Sequence, residues 1–163
     1  MSVIHYKTIG IIHTPFTSAD ATPIQPTGAA GVKGTIHIKQ EYQDGLQDLD
    51  GFGKIIVLYH LHHVQQEHLV VTPFLDSRSH GVFATRAPTR PNPIGLSILT
   101  LNRVEQNILH VENVDMLNES PVIDIKPYIP SVDSFADEHI GWLAKAHEQF
   151  KHAQSDNRFS KNR

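Results

Sequence analysis

The chain has 163 residues, 39% hydrophobic and 19% charged, with a formal net charge of -3 and no cysteine. That length is enough for a core of its own and predicts one principal domain. The composition excludes a disordered or collagenous chain, and the missing thiols exclude disulfides, thiolate-ligated zinc and cysteine nucleophiles. The longest apolar run, Ile55 to Tyr59, falls far short of the ~20 residues a helix needs to span a bilayer. Residues 1–7 carry neither a basic n-region nor an apolar h-region, so the expected address is the cytoplasm. The net charge hides an asymmetry. Residues 77–103 hold Arg78, Arg86, Arg90 and Arg103 and no acid, whereas residues 41–50 hold four acids and no base. Such a basic stretch is either solvated surface or a local field that recruits a phosphate-bearing partner.

In chain order, short Val- and Ile-rich runs separated by Gly, Pro and Asn read as strands over 3–12, 34–38, 54–63, 68–72, 81–85, 95–104, 108–114 and 122–128. No regular strand-helix alternation supplies the crossovers a parallel sheet needs, so the prediction is all-β, an antiparallel β-barrel whose closure removes exposed edges. Two helices accompany it. One is short, over 40–49, and ends at Gly51; the other is a C-terminal amphipathic helix over 137–151 with Ile140, Leu143, Ala146 and Phe150 on one stripe. The expected organisation is a barrel domain over 1–135, a C-terminal helix over 136–152 and a flexible tail over 153–163. Lys151 at the end of that helix and Arg158, Lys161 and Arg163 in the tail are either solvated or in contact with phosphates.

The stretch 81–97 is the most informative. Pro88, Pro91 and Pro93 remove backbone donors and push Ala87, Arg90 and Asn92 toward extended conformations, which predicts a stiff loop. Arg86, Arg90 and Asn92 would then have little freedom left to lose on binding, and guanidinium offers planar, bidentate donors to carboxylate or phosphate. A rigid connector with its arginines in water is the alternative. In the stretch 115–130, an extended run puts Val122, Asp124, Lys126 and Tyr128 on one face and Ile123, Ile125 and Ile129 on the other. The isoleucine face reads as core. The opposite face aligns a carboxylate, an ammonium and a phenol, either as a structural ion pair or as a site wall where a proton is handled. Asp115 closes the preceding hairpin, as a turn residue or as an acceptor for ribose hydroxyls.

On a strand running to residue 63, His60 and His62 would share a face, as in a two-histidine metal site. Apart from Glu67 no nearby carboxylate completes one, and with 12 His in the chain these side chains read as pocket lining, with no metal expected. Residues 22–28 form another proline-braced loop. No GxGxxG, P-loop, GxSxG or HExxH motif is present.

Four pieces, residues 9–16, 22–26, 81–97 and 115–130 together with Asp133, resemble the TsaA-like family, whose characterised bacterial members are the TrmO tRNA methyltransferases. The Arg-Pro-Asn-Pro-Ile-Gly run from Arg90 and the Asp-Ile-Lys-Pro-Tyr run from Asp124 carry most of the likeness. The resemblance implies a β-barrel that binds S-adenosylmethionine, works as a homodimer and methylates N6 of threonylcarbamoyladenosine at position 37 of the tRNA anticodon loop. Carried over by motif, the cofactor contacts fall on Pro23, Ile24 and Gln25, on His62 and His63, on Arg86, on Leu96, and on Asn113, Val114, Asp115 and Met116. The cofactor carboxylate would meet Arg86, its adenine Leu96 and Met116, and its ribose Asp115. The carbamoyl group draws on the N6 lone pair, so proton removal should help. Asp124 or Tyr128 is the candidate base, with Lys126 placed to tune either. Arg78, Arg90, Asn92 and Arg103 are candidate RNA contacts. The chain departs from the family at Ile24, where Arg is frequent, and at His60 and Leu61, where large aromatics are common; longer bacterial members also continue into a C-terminal domain. Methyl transfer to another nucleoside or small molecule, or a non-catalytic module sensing S-adenosylmethionine or RNA, fits the same residues.

Overall fold

The computed structural model describes residues 3–18, 29–135 and 138–145. Its strands are β1 (Gly10–His13), β2 (Lys33–Ile38), β3 (Lys54–His60), β4 (Val70–Val71), β5 (His80–Gly81), β6 (Ile94–Glu105), β7 (Ile108–Glu112) and β8 (Ser120–Pro127). Six of them close into an antiparallel barrel in the order β1-β2-β7-β6-β3-β8, while β4 and β5 pair separately as a small hairpin. The all-β barrel expected from the sequence is therefore what forms.

Strand alternation builds the core. Ile55 and Val57 of β3, Leu99 of β6, Leu109 and Val111 of β7, Ile36 of β2, Ile12 of β1 and Val122 of β8 are essentially inaccessible to solvent. Each such side chain contributes about 1.5–3 kcal/mol of burial free energy. Toward one end of the barrel the inward positions turn polar. Ser97 and Ser120 are 1% and 2% exposed there, beside the buried Tyr59.

Boundaries differ from expectation for local reasons. The first barrel strand begins at Gly10, not residue 3, and β3 stops at His60, where residues 61–64 turn with Leu61 N–H bonded to Pro93 O and Val64 N–H to Leu61 O. His60 and His62 consequently do not share a strand face. Past Gly81 the chain leaves its strand for a 3-10 turn, Val82–Ala84, closed by the Thr85 hydroxyl on Val82 O at 2.8 Å. The segment after β2 is 3-10, not α-helical: Gln40–Leu46 and Leu49–Gly51 are separated where Asp48 takes a left-handed φ of 64°. A one-turn helix, α1 (Pro130–Asp133), was not anticipated; proline at its start has the right φ in advance. Where the C-terminal helix was expected, residues 138–140 are not helical and Gly141–Lys145 is a 3-10 turn; residues 136–137, 146–152 and the tail lie outside the described residues. Among the described residues no helix is long and apolar enough to cross a membrane.

The topology divides the barrel into two ends. At one end β1, β3 and β7 finish and β2, β6 and β8 begin, as the pairings His13↔Thr35, His60↔Ile94 and Ile12↔Ser120 show. Three connections gather there: residues 14–32, the long excursion 61–93, and the turn 113–119. The opposite end holds the 3-10 segments Gln40–Leu46 and Leu49–Gly51, the tight β6–β7 turn and α1.

Candidate functional site

The three connections at the loop end are tied to one another by side chains. Asn113 ends β7 with a left-handed φ of 66°, which asparagine tolerates. Its amide bonds two ways: Gly31 N–H donates to Oδ1 at 2.9 Å, and Nδ2 donates to Thr100 Oγ1 at 3.0 Å. Thr14 makes the second tie, donating its hydroxyl to Met116 O at 2.9 Å and its N–H to Asn118 Oδ1 at 3.1 Å. The third is His62, whose Nδ1 lies 3.4 Å from the Ser120 hydroxyl, which itself donates to Leu117 O. The rings of His62 and His63 meet edge-on with centroids 4.2 Å apart. Burial first, and then His63, hold His62 below the usual imidazole range, so it is neutral at neutral pH.

Asp115 lies in the turn 113–119 at this end. The Ser97 hydroxyl donates to its Oδ1 at 2.6 Å, and the Tyr59 hydroxyl lies 3.3 Å from the same Ser97 oxygen. Burial pushes the Asp115 carboxyl up from 3.8 to about 6, against the opposing pull of the Ser97 bond and the Arg86 charge. Burial likewise drives the Tyr59 phenol well above its ordinary range, with the Asp115 charge adding to the effect. Arg86 is exposed, and its guanidinium acts electrostatically on both groups. Gly95 makes room for this arrangement, since a Cβ there would lie 2.8 Å from the Tyr59 hydroxyl oxygen. Ser97, Ser120 and Tyr59 were not singled out from the sequence. Their signal was available: Ser97 stands at an inward position of an otherwise apolar alternation ending in Leu99 and Leu101.

The proline loop is stiff for a reason beyond its prolines. Arg90 turns inward, its Nε donating to Ala87 O at 2.9 Å and its terminal nitrogen to Thr85 O at 2.8 Å and Val82 O at 3.4 Å. Arg90 thus braces the loop, while Arg86 and Asn92 stay exposed. From outside the barrel, Trp142 donates its indole N–H to Ala84 O at 2.8 Å and stacks on His80 with centroids 4.5 Å apart. His80 in turn contacts Asp76 at 3.0 Å. The Arg78 backbone N–H, followed by His80, holds the Asp76 carboxyl far below its ordinary value.

Other sequence-predicted residues are placed as follows. Val114 and Met116 point into the core, 0% and 2% exposed, so in the segment 113–116 only Asn113 and Asp115 present polar side chains to the loop end. Leu96 is half exposed on the outer wall of β6. Asp124 and Lys126 form an ion pair of 2.7 Å on the outer face of β8, with side chains 41% and 60% exposed. A bulge corrects the expected face pattern: Leu58 pairs with Asp124 but Tyr59 with Val122, so Ile123 is the extra residue. Val122 therefore points inward while Asp124 and Lys126 point out, and Ile125 packs on the core. Tyr128 lies beyond the strand at the opposite end, its N–H bonded to Lys54 O. Arg78 pairs with Asp76, and Arg103 with Glu105. Pro23, Ile24 and Gln25 lie outside the described residues. Among the described residues no group of three His, Asp or Glu is placed to hold a metal ion.

Residues 11–134 match the family model of the tRNA-methyltransferase O N-terminal domain. The chain belongs to this family. It is 43% identical to a protein of Pyrococcus abyssi named as a probable S-adenosyl-L-methionine-binding protein, over 96% of this chain and 85% of that one. Its identity to the tRNA (adenine(37)-N6)-methyltransferase of Escherichia coli K12 is 32%, over 90% of this chain and 66% of that enzyme. The crystal structure of TrmO from Pseudomonas aeruginosa superposes with a TM-score of 0.72 at 32% identity, covering 86% of this chain and 63% of that one. The chain thus spans about two thirds of the length of these two methyltransferases.

Proposed function

We propose that the loop end of the barrel binds S-adenosylmethionine and that the protein is a methyltransferase acting on N6 of adenosine 37 in tRNA, with threonylcarbamoyladenosine as the acceptor and a homodimer as the working form. The observation that carries the reading is the convergence of Arg86 and His62, far apart in the long excursion 61–93, with Asp115 of the turn 113–119 at one end of the barrel. The donor set fits the cofactor: an exposed guanidinium for its carboxylate, and a carboxylate in Asp115 for its ribose hydroxyls. The relatives named as S-adenosylmethionine-binding proteins and as tRNA methyltransferases support the same assignment.

When bound, the cofactor supplies a methyl already activated by its sulfonium, so the chain's task is to align the acceptor nitrogen and keep water out. The braced proline loop fixes Arg86, and the buried Ser97–Asp115 bond fixes the ribose acceptor. Asp124 and Lys126 hold each other in an ion pair on the outer wall and Tyr128 lies at the opposite end of the barrel, so this reading rests methyl transfer on alignment and gives those three residues no part in handling the N6 proton. The outer wall of β3 and β6, where Leu58 pairs with Leu96 and Ile94 is exposed, supports the homodimer as an apolar face available to a second copy. Sedimentation would report that state.

Calorimetry tests the cofactor reading. Arg86→Ala should weaken S-adenosylmethionine binding by on the order of 1.5–3 kcal/mol, with wild-type binding unaffected by chelator. Unchanged affinity in the variant would refute it. Mass spectrometry of anticodon-loop nucleosides from cells with and without the protein tests the acceptor.

A further inference from the structure

One cavity lies outside the site above. It is an open groove of about 640 Å³ on the outer wall where β1, β2, β7 and β6 adjoin, lined chiefly by His13, Lys33, Thr35, Asn102, Arg103 and His110, with no carboxylate in its lining. Two local features shape it. Gly34 lets β2 approach β1 closely, since a Cβ there would come within 2.8 Å of His13 O. A bulge in β6 between Leu101 and Arg103 turns both Asn102 and Arg103 outward and aims Arg103 at His110, 3.2 Å away.

The groove runs into the candidate site. Thr14 forms part of its lip, and the same residue bonds Met116 and Asn118 of the Asp115 turn. Two cations, Lys33 and Arg103, line it together with the polar side chains of Thr35, Asn102, His13 and His110. Glu105, which pairs with Arg103 at 3.3 Å and His110 at 3.2 Å, and Glu112, the cross-strand partner of Lys33, stand outside the lining. His13 also touches His37, with ring centroids 4.6 Å apart. Arg103 and Glu105 are each more than 60% exposed, so a phosphate displaces this weak surface pair at small cost.

We propose that this groove holds the sugar-phosphate backbone of the RNA substrate, with Lys33 and Arg103 as its charged contacts and Thr35, Asn102, His13 and His110 as its polar ones. It rests on the assignment of RNA as the substrate and adds where the RNA lies. Phosphate contacts of this kind position a nucleic acid without reading its sequence. They leave its bases free to enter the loop end.

The test is fluorescence anisotropy with a labelled anticodon stem-loop RNA at several salt concentrations. Wild-type binding should weaken with salt. The double variant Lys33→Gln/Arg103→Gln should flatten the salt dependence by roughly one unit of log-log slope per charge removed. His13→Gln/His110→Gln should weaken binding several-fold. S-adenosylmethionine affinity and melting temperature serve as fold controls in both variants. If wild type binds the RNA but the groove variants match it in affinity and salt slope, the groove is not the RNA site, while the functional assignment stands. If wild type binds no RNA at all, both fall together.

Discussion

Asp115 and Asp124 are nine residues apart in sequence and belong to different physical environments. Asp115 sits at the loop end with a short bond from a buried serine, a buried tyrosine beyond it, and a carboxyl raised to about 6 by burial. Asp124 lies on the outer wall in a partly solvated pair with Lys126. Burial and neighbouring dipoles, rather than membership of a recognisable motif, separate a carboxylate poised for binding from one that decorates a strand.

The contrast can be broken most severely at Gly95. A Cβ there would come within 2.8 Å of the Tyr59 hydroxyl, and the buried ring cannot swing aside without leaving both the core and Ser97. Gly95→Ala should destabilise the protein by about 2–3 kcal/mol, read as a lower denaturant midpoint. A wild-type midpoint would mean that the Tyr59–Ser97–Asp115 arrangement is loosely packed.

Next comes Asp115 itself. Between 3.8 and about 6 the native state keeps a proton that the unfolded chain has released, so this group's contribution to stability falls as pH rises and the full penalty is present above about 6. Asp115→Asn should therefore change stability little at pH about 4 and raise it by on the order of 2 kcal/mol at pH about 7.5. Melting curves across that range check the sign. A variant less stable than wild type at the higher pH would show that the ionised carboxylate is well solvated or well paired.

A smaller effect is expected from the brace. Trp142→Ala removes the stack on His80 and the bond to Ala84, two residues before Arg86. Cofactor affinity should weaken by about 1 kcal/mol, the scale of one aromatic contact. Because the chain contains one Trp, its fluorescence should respond to cofactor in the wild type. Unaltered affinity together with a silent tryptophan would detach the C-terminal segment from the site.

The smallest change should follow Asp124→Asn. An exposed pair contributes about 0–1 kcal/mol, so melting temperature and single-turnover methyl transfer should both remain near wild type. A rate loss of about 10²-fold or more would instead make Asp124 the proton acceptor.

The barrel was legible because inward residues such as Ile55, Val57, Leu109 and Val111 alternate cleanly and the turns between them are marked by Gly, Pro and Asn. The faces of β8 were not, because one extra residue, Ile123, breaks the period of two in a way that no local composition announces. Arg90 illustrates a second limit. Its inward turn depends on three carbonyls brought together by the folded loop, which an argument from proline stiffness alone does not supply. The resemblance to a known family put forward Arg86, His62 and Asp115 as site residues, but the serine and tyrosine beside Asp115 come from other strands and no motif names them.

The most direct test is calorimetric titration of S-adenosylmethionine into Asp115→Asn and Asp124→Asn side by side, at pH about 7.5 so that Asp115 is ionised in the wild type. If the loop end holds the cofactor, Asp115→Asn loses about tenfold or more in affinity through the lost charged acceptor, and Asp124→Asn matches wild type. Full affinity in Asp115→Asn, with a loss in Asp124→Asn, would contradict the assignment and move the cofactor to the outer wall of β8.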